Sequence, residues 1–318
     1  MEFDGRFAPS PTGPLHLGSL RTALAAWLFA RSQGGRFLLR IEDLDPQRSR
    51  PAFERRQLAD LAALGIDWDE PPVRQSERHL LYTEAIAALK AADRVYPCFC
   101  TRAEVREAAS APHANLPEGA YPGTCRELSE RERTQRLAAG RPPALRLRAD
   151  GETIAFADRL LGRHCGRVDD FVIRRADGVP AYQLAVVVDD GAQGIGQVVR
   201  GADLLDSVPR QILLARLLGL RPPAYAHVPL VFGADGARLA KRHGAATLAD
   251  RDERPAVTLA LVAHSLGLAM GRDEVRSARE LIAEFDPGCV PREPVTLGPE
   301  GTVTMGAPET ACPSSPAV

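Results

Sequence analysis

"GRFAPSPTGPLHLGSLRTALAAWLFARSQGGRFLLRIED", residues 5–43, decides the fold. "GRFA" (5–8) reads as a short strand. It runs into a loop that holds three prolines, two glycines and one histidine between Ala8 and Gly18. Proline fixes φ and glycine allows close backbone approach, so this is a shaped loop and not a linker. Beyond it Leu20, Leu24, Trp27 and Leu28 share one helical face, with Gly34 and Gly35 as the stop. "RFLLRIED" (36–43) then reads as a buried strand. Strand, loop, helix, strand makes a βαβ unit, which predicts a parallel sheet with ligands at the carboxyl ends of its strands.

Strand signals return in "AYQLAVVVDD" (181–190, whose start also suits a helix), "GQVVRGADLL" (196–205) and "AHVPLVFG" (226–233). "PRQILLARLLGL" (209–220) reads as a helix between the last two. The interruption carries a cysteine cluster and reads as an insertion. The expected division is therefore an α/β, Rossmann-type catalytic domain in two halves, 1–94 and 181–245, around an inserted subdomain at 95–180. A helical stretch, 246–285, contains "AVTLALVAHSLGL" and "EVRSARELIAEF". Residues 286–318 have seven prolines, four glycines and almost no apolar periodicity, and are expected to be a disordered tail.

The 318 residues are 45% hydrophobic and carry a formal net charge of -1. No global basic field draws such a chain to nucleic acid, although a local basic face remains open. There is no membrane-length apolar run and no signal-peptide pattern at "MEFDGRF", so the expected compartment is the cytoplasm. Of 40 basic residues only Lys90 and Lys241 are lysine. Codon bias explains the arginines, but a compact ammonium at a tight site is not replaceable by a planar guanidinium.

The glycine loop at the start of a helix offers backbone N–H groups and the positive end of a helix dipole, which suits phosphate. His16 could donate to a phosphate oxygen and Gly18 could let a flat base approach the backbone. Neither the P-loop nor the dinucleotide fingerprint is present. By spacing alone, a rigid loop with a hydrogen-bonded surface histidine fits as well. Six cysteines occur, at 98, 100, 125, 165, 289 and 312, in a long chain without a secretion signal, which argues against a disulfide framework. Cys98, Cys100 and Cys125, in "PCFC" and "YPGTC", instead suit a structural zinc ion. Chemistry leaves the fourth ligand open, with His113 and Cys165 as conventional choices.

"RFAPSPTGPLHLGSLRTAL" resembles the opening of the glutamyl-tRNA synthetases, with "HLGS" similar to the first signature of class I aminoacyl-tRNA synthetases. The resemblance continues in order through "LLRIEDLDPQRS", "ALGIDWDE", "RQSER", "VVVDD" and "VVRGADLL". It ends at "RLAKRHGA", where the family's lysine-bearing loop belongs, so it covers about residues 3–250. It implies that glutamate is activated by Mg-ATP to glutamyl-adenylate and then passed to an RNA hydroxyl. His16, Gly18, Ser19 and Lys241 would then serve ATP, with His16 and Lys241 stabilising phosphate charge. Arg6, Phe7, Ala8, Pro9, Ser10, Glu42, Tyr182 and Arg200 would form the glutamate pocket, Glu42 taking the α-ammonium and Arg200 the side-chain carboxylate. The resemblance also points to Tyr121 as the fourth zinc ligand.

Two departures refine this. Four residues after Tyr182, where the family commonly has Asn, stands Val186, and only 77 residues follow Lys241, where full-length enzymes carry a helical anticodon-binding region. Both features are similar to the shortened branch of the family, the glutamyl-queuosine tRNA(Asp) synthetases, which transfer glutamate to queuosine at the wobble position. The expected partners are thus ATP, L-glutamate and queuosine-containing tRNA(Asp), with no membrane and a monomeric chain. The alternatives are an enzyme charging tRNA(Glu), a nucleotidyltransferase making an acyl-adenylate for a small amine, and a non-catalytic glutamate- or RNA-binding paralogue.

Overall fold

The computed structural model describes residues 2–110, 120–140, 142–233, 247–248, 254–268, 277–297 and 303–305. The first βαβ unit is β1 (Gly5–Phe7), α1 (Leu17–Arg31) and β2 (Phe37–Ile41), with Arg6 opposite Leu38 in parallel register. It is followed by α2 (Pro51–Ala63), β3 (Val73–Arg74) and α3 (His79–Ala91). Next come β4 (Val95–Cys98), α4 (Arg102–Ser110), α5 (Glu130–Ala138), β5 (Ala144–Leu147), β6 (Thr153–Asp158), β7 (Gly162–Arg167) and β8 (Val172–Arg174). The chain continues through α6 (Tyr182–Ala192), β9 (Gln197–Gly201), α7 (Val208–Leu217), β10 (Ala224–Val228) and β11 (Val231–Gly233). It ends with α8 (Pro255–Ser265), α9 (Leu281–Glu284), β12 (Val295–Leu297) and β13 (Val303–Met305).

Strand β2 lies between β1 and β3, and β9 pairs in parallel with β10. The two groups meet where the amides of Gly196 and Gln197 both donate to the Asp4 carbonyl, at 3.0 and 3.1 Å. The spatial order is therefore β3-β2-β1-β9-β10, and it reverses between β1 and β9. In such sheets the reversal opens a crevice at the carboxyl ends of the strands. Apolar residues alternate between the two faces, as strands buried on both sides require. Leu39, Val199 and Ala226 pack with α1 and α8, while Leu38, Val198 and Tyr225 pack with α3, α6 and α7. Strands β4, β5 and β8 form a separate antiparallel sheet, and the β6–β7 hairpin docks β6 in parallel on β10.

Five readings of the sequence are corrected. Residues 182–192 are helix α6, not a strand. Three consecutive valines favour extended backbone, but burial of Leu184, Ala185, Val187 and Val188 against α3 and α7 overrides that preference. The run 226–233 is two strands, interrupted at Pro229, which has no N–H to pair. The run 196–205 stays extended only to Gly201 and then tightens into a 3-10 turn, Ala202–Ser207. The described part of the second C-terminal helix is one 3-10 turn, Ala278–Glu280, followed by the four residues of α9. Finally, the expected tail begins as packed structure. Val290 and Val295 are 2% and 0% exposed, and β12 pairs in parallel with β11 and antiparallel with β13. The tail's prolines and glycines dominate its composition and conceal the two valines that dock.

Arg21, buried in α1, donates to the Pro229 carbonyl at 2.6 Å and to the carbonyl and hydroxyl of Ser265 at 3.0 and 3.1 Å. With no carboxylate among these partners, burial pushes its pKa down to about 10. This one side chain ties α1 to α8 and to the β10–β11 junction.

Candidate active site

The Pro/Gly loop is held from outside. Glu42 N donates to the Pro9 carbonyl at 3.0 Å, Arg50 N to Pro11 at 2.9 Å, and Gln57 Nε2 to Ser10 and Gly13 at 3.0 and 2.7 Å. Its stiffness therefore fixes one wall of a cavity of about 430 Å³ at the sheet's reversal point. Arg6, Phe7, Ala8, Pro9, Ser10, His16, Gly18, Ser19, Glu42, Tyr182 and Arg200 all line that cavity. Lys241 lies outside the described residues, but Thr247, six positions on, forms a backbone bridge with His16. Val186 is 1% exposed and is not among the cavity-lining residues.

His16 is the N-cap of α1. Its Nδ1 accepts from Ser19 N at 3.1 Å, and its Nε2 lies 3.1 Å from Ser19 Oγ. An accepting Nδ1 places the proton of the neutral ring on Nε2. A Cβ at Gly18 would stand 3.1 Å from His16 Nδ1, so glycine there leaves the imidazole its place. The helix end and the ring together make one anion-facing surface.

The opposite side of the cavity holds interlocked charges. Arg6 Nε and Arg40 Nη1 both donate to Asp190 Oδ1, at 3.2 and 2.7 Å. Burial would raise the Asp190 carboxyl, but the two guanidiniums outweigh it and hold it low. Asp189, fully buried, accepts from Arg78 Nε at 2.6 Å, Gln75 Nε2 at 2.8 Å and the Tyr82 hydroxyl at 2.9 Å. Glu42 Oε1 lies 3.7 Å from Arg40 Nη2, and burial raises its carboxyl against the pull of Arg40 and Arg6. A carboxylate so placed gains from a further cation in the cavity. Arg200, 5% exposed, donates from Nη1 toward the Tyr182 hydroxyl at 3.5 Å and from Nη2 to the Leu204 carbonyl at 3.1 Å. One cavity thus offers a carboxylate, a guanidinium and a helix N-terminus. The residues that brace it, Arg40, Asp189, Asp190, Asp158 and His227, were not singled out in the sequence. The "DD" of 189–190 and the histidine next to the end of strand β10 are the available signals.

Away from this cavity, Cys98, Cys100 and Cys125 bring their sulfurs within 4.8 Å of one another. Cys100 and Cys125 Sγ are 3.5 Å apart, and the Tyr121 hydroxyl stands 3.5 Å from Cys98 Sγ and 3.8 Å from Cys100 Sγ. A tetrahedron with metal–sulfur and metal–oxygen bonds of about 2.3 and 2.0 Å has edges of roughly 3.5–3.8 Å, so the donor set fits zinc. Burial and the neighbouring Cys125 push the Cys100 thiol up to about 12, whereas the Tyr121 hydroxyl and Arg146 outweigh burial at Cys98 and hold its thiol below the ordinary value. Arg146 stacks on the Tyr121 ring with Cζ 3.6 Å from its centre. Cys165, exposed on β7, is not part of the cluster, and His113 lies outside the described residues.

Residues 2–294 match the family model described as tRNA synthetases class I (E and Q), catalytic domain. The chain belongs to the class I E and Q tRNA synthetases. Within that family it is 59% identical over 300 residues to "Glutamyl-Q tRNA(Asp) synthetase" of Nocardia farcinica, covering 93% of this chain and 94% of that one. It is 52% identical over 311 residues to the protein of the same name from Symbiobacterium thermophilum, covering 93% and 96%. Among solved synthetases, it superposes on the glutamate–tRNA ligase of Elizabethkingia meningosepticum, crystallised with its amino acid, with a TM-score of 0.78 and 31% identity. That match covers 91% of this chain and 66% of the ligase, so the chain spans slightly less than two thirds of its length.

Proposed function

We propose that this chain activates glutamate with Mg-ATP and transfers it to the queuosine of tRNA(Asp) in the cytoplasm. The observation that carries the reading is the placement of Glu42, Arg200 and the His16-capped helix end around one cavity. Glutamate presents an ammonium and a side-chain carboxylate, which match Glu42 and Arg200. Its α-carboxylate is then left facing the phosphate-binding end of α1. In the first step that carboxylate attacks the α-phosphorus of ATP, forming the acyl–phosphate bond as pyrophosphate leaves. A cis-diol hydroxyl of queuosine then attacks the carbonyl carbon, and AMP departs. The chain needs no nucleophile of its own. His16 and Lys241 hold the charge that grows on the phosphate oxygens, and Arg6 acts with Arg200 to keep the acidic substrate in place.

The relatives named for glutamyl-Q tRNA(Asp) support queuosine as the acceptor, matched as they are over nearly their whole lengths. Among the described residues no helix is long and apolar enough to cross a membrane. The test combines ATP, labelled glutamate, tRNA(Asp) with and without queuosine, and tRNA(Glu). Label on the queuosine-bearing tRNA(Asp) alone is expected, and label on tRNA(Glu) would reassign the chain as a charging enzyme. Arg200→Ala should raise the glutamate KM by roughly a hundredfold and erase the preference over glutamine. An unchanged substrate profile would take Arg200 out of the pocket.

Zinc at Cys98, Cys100, Tyr121 and Cys125 is part of the same proposal. When bound it cross-links the end of β4 to the 121–125 turn and so holds the inserted subdomain's shape. Metal analysis should find about one zinc per chain, and Cys125→Ser should remove it.

A further inference from the structure

Behind Arg200 stands a chain of two buried groups that the proposed chemistry does not touch. Arg200 Nε donates to His227 Nε2 at 3.0 Å, and His227 Nδ1 lies 2.6 Å from Asp158 Oδ2. His227 is 0% exposed and the Asp158 side chain is 0% exposed. The two come from adjacent parallel strands, β6 and β10, sixty-nine positions apart. An arginine only donates, so the contact requires a lone pair on His227 Nε2 and hence the proton on Nδ1. Asp158 can only accept while ionised, and that selects the same tautomer. Burial, with Arg200 beside it, pushes the imidazole below its ordinary value against the pull of Asp158, which keeps it neutral. The second Asp158 oxygen is fully committed: Oδ1 accepts from the amides of His227, Leu160 and Leu161 at 3.1, 3.0 and 2.9 Å.

We propose that Asp158 and His227 are positioning residues for substrate selection: Asp158 fixes the His227 tautomer, and His227 anchors the inner edge of Arg200 so that its Nη1 edge faces the cavity. This rests on the reading of Arg200 as the anchor of the substrate's side-chain carboxylate. A guanidinium on a long stem has many rotamers, and holding it by one edge removes that freedom before the substrate arrives. The Arg200 Cζ over the Tyr225 ring, at 5.5 Å, and the Leu204 carbonyl restrict it further.

The arrangement yields a test that spares the packing. In Asp158→Asn the three amides keep the carbonyl oxygen at the Oδ1 position, so the new NH2 group faces His227 Nδ1. The imidazole must then accept at Nδ1 and carry its proton on Nε2, pointing a donor at the Arg200 donor. An isosteric change two residues removed from the substrate thereby disturbs the arginine, much as the wrong tautomer disables a catalytic triad. His227→Phe removes the acceptor but keeps a ring, whereas His227→Gln returns an acceptor near the Nε2 position.

Glutamate-dependent ATP–pyrophosphate exchange without RNA would be measured for these variants and for Arg200→Ala, titrating glutamate and ATP separately, with thermal midpoints from the same samples. The glutamate KM is expected to rise about ten- to hundredfold in Asp158→Asn and His227→Phe, with kcat and the ATP KM close to the parent. His227→Gln should recover most of that loss. If His227→Phe folds poorly, the isosteric Asp158→Asn decides. A glutamate KM left within about twofold by Asp158→Asn, while Arg200→Ala raises it, overturns the relay and leaves the Arg200 reading standing. Glutamate and ATP KM rising together with a fallen midpoint also overturns it, because that is the signature of packing alone. An Arg200→Ala variant with parental glutamate KM removes the reading itself, and the relay with it.

Discussion

His16→Ala should slow glutamate-dependent pyrophosphate exchange by about a hundred- to a thousandfold, the usual cost of losing one preorganised donor to a developing oxyanion. The glutamate KM should stay within roughly threefold of the parent, since the imidazole acts only as charge grows on the phosphates. Two roles have to be separated, because His16 also caps α1 through Ser19 N. Loss of a cap costs about 1 kcal/mol. His16→Asn keeps a good capping side chain and discards the ring, so it should recover the thermal midpoint without the rate. Recovery of both would reduce His16 to a cap. Lys241→Ala should reproduce the kinetic pattern of His16→Ala without touching the stability of α1.

Ending the chain after Phe285 is expected to lower the stability by about 3–6 kcal/mol, the burial of two valine side chains at 1.5–3 kcal/mol each. Val290 and Val295 supply that burial, and β12 also leaves the edge of β11 unpaired. Strand β11 lines the cavity at Val231 and leads directly into residues 234–246, so exchange activity should fall with the midpoint. Chemical denaturation of the two lengths measures this. An unchanged midpoint with full activity would return residues 286–318 to the dispensable tail that their composition suggests.

The first βαβ unit was legible because its signals are local: a stiff loop, a periodic apolar face and a glycine stop all lie within forty residues. The pocket residues from Arg6 to Ser10 came from the resemblance and not from these local signals, which fit a plain rigid loop as well. Helix α6 was legible only at its start, because a run of valines is too short for its period to oppose β-branched preference, and only burial on two sides decides it. Its two aspartates illustrate a further limit. Asp189 and Asp190 sit side by side in the chain, yet one holds Arg78 and Tyr82 while the other holds Arg6 and Arg40. No local motif announces such a division, since the partners are more than a hundred positions away. The pairing of Asp158 with His227 is silent for the same reason. The cysteine cluster was half legible: C-x-C spacing marks the thiols, whereas Tyr121 came from the resemblance alone, and the folded distances bring its hydroxyl to the same point.

The bridge between His16 and Thr247 sets a tether. Six residues of chain reach at most about 20 Å, so the covalent chain alone keeps Lys241 within that distance of Thr247, the residue bridged to the first signature loop. One ammonium confined to such a volume is present at an effective concentration on the order of tens of millimolar. Free cations of that charge density would have to be supplied by the medium at comparable levels to compete, and they would come hydrated and unoriented. The single backbone pairing thus makes the rare lysine's positive charge a local one, supplied by the chain itself and not by the medium.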